Sequence, residues 1–197
     1  VPDPAVPSPT FPLGLVPGVV ARRWTKVWAE RVRRPALEVV PVEEHEQVAA
    51  LAEGRIRMCV ARLPLLAAGG LGPEGLHVVR MYDERQVVLA PRDHVLAALD
   101  DHEAVALDDV REELLTEDDL APTLPSRDRA ALVAGGQGLL VVPQSVARAH
   151  QRKDLIWRPV DEVDPTTVAL VWPRADDDAL CQEMVGIVKG RTARSSR

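Results

Sequence analysis

Residues 11–20, FPLGLVPGVV, decide how the rest of the chain is read. A short apolar run is broken by Pro17-Gly18 and followed by a segment with helical spacing. That order describes a buried first strand, a tight turn and a helix N-terminus. Backbone N–H groups at such a turn point outward unpaired, so the turn is a candidate holder for an anion or a polar ligand head. Gly18 lacks a Cβ and lets a ligand approach the backbone closely, although glycine also serves turns that bind nothing.

Working outward, the strand is expected over about Pro12–Val16 and the helix over about Val19–Arg33. Val20, Trp24, Trp28 and Val32 recur every four residues with Val27 beside them, which makes one apolar stripe. Pro35 stops the helix. Leu37–Val42 is a short β-branched strand. Val48, Ala49, Leu51 and Ala52 form a compact helix closed by Gly54 as a left-handed cap. Ile56–Leu63 is a third strand ending at Pro64. Strands alternating with helices in this way predict a parallel sheet with helices on its faces. A loop over Ala67–Gly75 and strands over Leu76–Tyr82 and Gln86–Ala90 follow, the two strands separated by the charged turn Asp83-Glu84-Arg85.

The composition shifts at Pro91. Asp100–Asp119 is densely acidic, with short helical pieces around Leu107–Val110 at most. Ser126 reads as the N-cap of a helix through Ala134, which Gly135-Gly136 ends. Leu139–Val142 is a buried strand, Pro143-Gln144-Ser145 opens a short helix, and Leu155–Val160 and Thr167–Trp172 are strands. A closing helix begins near Asp177, with Leu180, Met184 and Val188 in one row and Cys181 beside it.

The 197 residues are 46% apolar and 27% charged, enough for a full core. Only 3% are aromatic, so that core rests on Val, Leu and Ala. Asn is absent and Lys supplies three of 24 basic residues, a coding bias that strips single arginines of special weight. A net charge of −6 disfavours nucleic-acid binding by this chain. Cys59 and Cys181 have no CxxC spacing and read as buried, reduced thiols. No run approaches the ~18 apolar residues of a membrane span, and the opening VPDPAVPSPT lacks a signal-peptide pattern. A cytoplasmic location is therefore expected. The five histidines are scattered, and HExxH, GxSxG and P-loop patterns are absent. Gly135-Gly136-Gln137-Gly138 precedes a strand rather than a helix, the reverse of a dinucleotide fingerprint. No enzyme, cofactor or metal reading follows.

Four stretches stand in order: LGLVPGVVARRWTKVWAER (13–31), VEEHEQVAALAEGRIRMCVARLP (42–64), VVLAPRDHVLA (87–97) and ALVAGGQGLLVVPQSVARAH (131–150). Together they resemble the effector-binding (substrate-binding) domain of LysR-type transcriptional regulators, over about residues 11–190. The resemblance implies an α/β, two-lobed type 2 periplasmic binding protein-like fold with two crossover strands and a small molecule held between the lobes. Lobe one is then expected at 11–90 plus 166–190 and lobe two, shortened, at 91–165. The crossovers fall near Ala90-Pro91 and Pro165-Thr166, with a Pro-rich lead-in at 1–10 and a basic tail at 191–197. Position 57 is Arg where the family commonly has Asp, so a structural bond made by that Asp is expected to be lost. Val95 stands where the family has Pro, and the stretch between Leu115 and Ser126 looks short. Ten Pro-rich residues cannot make the family's winged helix-turn-helix, so the chain is read without its own DNA-binding domain.

In such folds ligands meet strand C-termini and helix starts. The candidate ligand contacts are Pro17, Gly18 and Val19 at the first turn, and Arg62, Leu63 and Pro64 after the third strand. Ser126, Gln144 and Thr166 complete the set. Arg62 could pair a carboxylate bidentately. Trp24 and Trp28 allow two readings, core or a homodimer surface, with at least one expected in the core. The function implied is small-molecule effector sensing without direct nucleic-acid or membrane contact. The alternative is a protein-interaction module with a degenerate cleft that pairs with a regulator or a neighbouring protein.

Overall fold

The computed structural model describes residues 9–116 and 118–190. The expected basic tail and all but the end of the Pro-rich lead-in lie outside the described residues. The described residues form two compact units, 9–81 with 169–190 and 82–116 with 118–168.

The first unit is built on β1 (Thr10–Leu15), α1 (Arg22–Arg31), β2 (Ala36–Pro41), α2 (Gln47–Ala52) and β3 (Met58–Arg62). β4 (Leu76–Glu84), β9 (Thr166–Pro173) and α6 (Ala179–Val188) complete it. Its five-stranded sheet runs β2-β1-β3-β9-β4, with β1 parallel to both β2 and β3. Every residue of Met58–Arg62 is buried, as expected of a central strand covered on both faces. Successive side chains of a strand point to opposite faces. Cys59 and Ala61 accordingly join Val48, Ala50 and Leu51 of α2 in one cluster. On α1, Trp28 is 1% exposed and stacks on Phe11 of β1 with ring centroids 4.8 Å apart. Its Nε1 donates to the Pro35 carbonyl at 3.0 Å. Arg31 of α1 pairs with Glu183 of α6 at 3.2 Å.

The second unit contains β5 (Gln86–Pro91), β6 (Val105–Ala106), α3 (Leu107–Val110), α4 (Ser126–Ala134), β7 (Leu140–Pro143), α5 (Gln144–Ala149) and β8 (Leu155–Asp161). Its sheet runs β6-β8-β5-β7. β5 is antiparallel to β7 and β8, and β6 is parallel to β8. Val87 and Leu89 pack toward α4 and α5 with Val133, Val146 and Ala147, while Val88 and Ala90 pack with Leu96, Val105 and Val110.

Several sequence expectations are corrected. β4 and β5 belong to different sheets, and Asp83 and Glu84 are part of β4 rather than of a turn. The ladder partners of β5, β7 and β8, lie in the second unit, so the first boundary is Met81/Tyr82 and not Ala90-Pro91. The second division, at Val168/Ala169, falls within β9. The first helix starts at Arg22, not Val19, and Val20 is 76% exposed instead of joining the stripe. The N-cap of α4 is Pro125, with Ser126 already helical. At position 57 the arginine makes bonds of its own, pairing with Asp178 at 2.6 Å and donating to the Asp176 carbonyl at 3.0 Å at the start of α6. Among the described residues no helix is long and apolar enough to cross a membrane.

Candidate functional site

The first turn is built as its residues demand. Gly18 has φ 86°, a left-handed conformation that L side chains rarely adopt. The reversal closes when the Val19 N–H donates to the Val16 carbonyl at 3.2 Å. Pro17 has no N–H. Of the three residues singled out, only Gly18 therefore has an N–H without a partner among the described residues. α1 begins three residues after Val19, at Arg22, and carries no side-chain cap.

Arg62 closes β3 and is 2% exposed. Its Nη1 pairs with Glu44 Oε1 at 2.7 Å. Its own backbone is clamped by Gln47, whose Nε2 donates to the Arg62 carbonyl at 2.8 Å and whose Oε1 accepts from the Arg62 N–H at 3.1 Å. Gln47 is itself 5% exposed, so the pair satisfies both ends of a buried amide. The guanidinium is thus neither a solvated surface group nor an unclaimed anchor. Leu63 and Pro64 follow through a cis peptide bond, Leu63 half-buried and Pro64 exposed.

Gln144 and Thr166 each bond one of two consecutive residues, Arg85 and Gln86. Pro143 lies opposite Gln86 in the β5–β7 ladder, and the Gln144 N–H donates to the Arg85 carbonyl at 3.0 Å. Gln86 Nε2 donates to Thr166 Oγ1. One residue on, Thr167 Oγ1 donates to Asp83 Oδ1 at 2.6 Å. The bonded pairs Gln86–Thr166 and Asp83–Thr167 sit where the chain enters and leaves the second unit. The Gln144 side chain has no hydrogen-bond partner among the described residues and is half-buried, so its amide is available to a ligand. Ser126 is placed elsewhere. Its Oγ lies 2.9 Å from His150 Nε2, tying the start of α4 to the end of α5.

The sequence reading missed Gln86, Asp83 and His150. Gln86 carried a signal, because it is the one polar residue opening the apolar run QVVLA. Asp83 and His150 carried none, because their partners lie 84 and 24 residues away along the chain. Burial pushes the Cys59 thiol up to about 12 and the Cys181 thiol to about 11, so neither is a nucleophile at neutral pH. Among the described residues no group of three or more His, Cys, Asp or Glu could hold a metal ion.

Comparison with known proteins agrees with this architecture. The effector-binding domain of BenM with its effector benzoate superposes with a TM-score of 0.66 at 19% identity, covering 92% of this chain and 90% of that one. The effector-binding domain of a BenM variant gives 0.69 at 19%, covering 93% and 97%. An OxyR variant of Corynebacterium glutamicum, in a hydrogen-peroxide-bound form, gives 0.65 at 18%, covering 93% and 67%. At these identities the likeness is one of fold. No curated protein sequence matches the chain significantly. Residues 6–120 match the LysR substrate binding domain, more than half of the chain. The chain therefore belongs to the LysR substrate-binding domain family.

Proposed function

We propose that this chain senses a small organic molecule, a carboxylate in our reading, and passes its presence on as part of transcription control. It does so by shifting the balance between two arrangements of the protein, not by catalysis. The observation that carries the reading is the half-buried Gln144 side chain, which has no hydrogen-bond partner among the described residues and whose backbone N–H bonds Arg85, the residue before Gln86, itself bonded to Thr166. Gln144 and Thr166 are the leading proposed contacts; Gly18, in the first unit, is proposed separately as an amide contact of its own. Pro17, Val19, Leu63, Pro64 and Ser126 are secondary. Arg62 would contribute only by exchanging Glu44 for the ligand's carboxylate. The same reading expects a cytoplasmic protein and a homodimer through α1, with half-buried Trp24 at the contact and Trp28 committed to the core.

The test is a thermal-unfolding screen against organic acids, amino acids and aromatic carboxylates. A ligand at a hundred times its Kd adds about 2.7 kcal/mol, which for a chain of this size is a rise of roughly 5–10 °C. Gln144→Ala should reduce that rise. If no compound stabilises the protein, or if Gln144→Ala leaves every response unchanged, the reading fails.

The engagement of Arg62 by Glu44 and of the Val19 amide by Val16 favours a second reading, a protein-interaction module. A monomer with micromolar affinity for a small molecule would exclude it.

A further inference from the structure

The second unit carries an open cavity of about 400 Å³ that holds none of the candidate ligand contacts named above. Its floor is apolar, made by Leu89 of β5, Ala147 of α5, and Leu155 and Ile156 of β8. One wall is the half-buried Trp157 ring, with the Arg148 guanidinium 5.9 Å from its centroid.

The polar side is unequal in a way that selects a ligand. Arg158 is 6% exposed and already committed. Its Nε and Nη2 donate to the Leu99 carbonyl at 3.1 and 2.8 Å. Its Nη1 donates to the Trp157 carbonyl at 2.9 Å and pairs with Asp101 at 3.2 Å. Arg92 also lines the cavity, yet its guanidinium has no hydrogen bond or ion pair among the described residues. The same holds for the His102 ring and the Gln151 side-chain amide at the rim. Two arginines face one carboxylate, so the cavity carries an uncompensated positive charge beside an apolar floor and an aromatic wall.

We infer that this cavity is a ligand site for a small, flat organic anion: Arg92 meets the carboxylate, Gln151 and His102 supply further polar contacts, and the apolar body lies on Leu89 and Ala147 against Trp157. The volume is within the ordinary range of small-molecule pockets, and a planar fork matches a carboxylate. The site is independent of the one proposed at Gln144 and Thr166.

The experiment is a titration of the isotope-labelled protein with sodium benzoate and, separately, with uncharged benzamide, followed by amide and indole nuclear magnetic resonance. Benzoate should shift the Trp157 indole N–H and the Gln151 and Arg92 signals along one saturable curve, and benzamide should bind at least tenfold more weakly. Arg92→Gln should weaken benzoate tenfold or more. Gln151→Glu, which adds a carboxylate to an exposed rim position, should abolish binding while signals away from the cavity stay in place. Shifts at Gln144 and Thr166 report the other site on their own curve, so either site can fail alone. Absent shifts at Trp157 and Gln151, equal responses to the two probes, or an unchanged Arg92→Gln would each overturn the inference.

Discussion

Arg62 and Glu44 should respond unequally to mutation, although they form one ion pair. Arg62 is 2% exposed, whereas the Glu44 side chain is 46% exposed. Glu44→Ala removes the carboxylate 2.7 Å from a guanidinium that water cannot reach. A hydrogen bond to a charged group contributes about 1.5–3 kcal/mol, and screening on the exposed Glu44 side puts this one near the lower end, about 1.5–2 kcal/mol. Arg62→Met removes the buried charge instead and keeps most of the volume. The Glu44 it leaves behind can hydrate, and exchanging a buried charge for an apolar group of similar size is often close to neutral. The expected loss is about 1 kcal/mol or less. At roughly 2–4 °C per kcal/mol, Glu44→Ala should lower Tm by about 3–8 °C and Arg62→Met by less than about 4 °C. Differential scanning calorimetry of both variants decides it. If Arg62→Met is the more damaging of the two, the guanidinium contributes something other than a neutralised buried charge, and the reasoning is wrong.

Trp28→Ala should lose about 3–5 kcal/mol in denaturant unfolding. Trp28→Phe keeps the stack on Phe11, loses the bond to the Pro35 carbonyl, and should lose only about 1 kcal/mol. Gly14 has no room for a side chain: a Cβ there would lie 2.5 Å from Ile56 Cδ1 and 3.2 Å from Cys59 Sγ. Gly14→Val should therefore destabilise by about 1–3 kcal/mol or more in the same assay, with Gly14→Ala smaller. The Cys59 thiol is raised by burial to about 12 from an ordinary value near 9. The folded protein keeps that proton while the unfolded chain releases it, so the associated stability is whole below pH 9 and is lost as pH rises toward 12. Chemical denaturation between pH 8 and 10.5 should show stability falling with pH, and Cys59→Ala should flatten the slope.

The first unit was the more legible of the two. Alternating apolar runs and turn glycines placed β1, α2 and β3 within a few residues of their observed ends, because hydrophobic periodicity and turn chemistry are local properties. The helix start at Arg22 was misplaced because apolar spacing runs on through Val19 and Val20, while the chain conformation there is set by Gly18 and the Val19–Val16 bond. In the second unit the two-residue β6 went unseen. Its pairing with β8 is made some 55 residues away along the chain, and nothing in Val105–Ala106 alone announces it.

Candidate residues divide along the same line. FPLGLVPGVV by itself determined a buried strand, a glycine reversal and a helix beyond it, since each follows from side-chain shape and backbone freedom within a few residues. The order of the four motifs likewise determined the family. Only the tertiary structure decided which groups at those positions are available. It engaged the Val19 amide within its own turn, buried the Arg62 guanidinium against Glu44, bonded Ser126 to His150, and left the amide of Gly18 and the side chain of Gln144 without a partner among the described residues. A donor's availability depends on what distant segments bring within about 3 Å of it, and that proximity is created by packing rather than by neighbours in the chain.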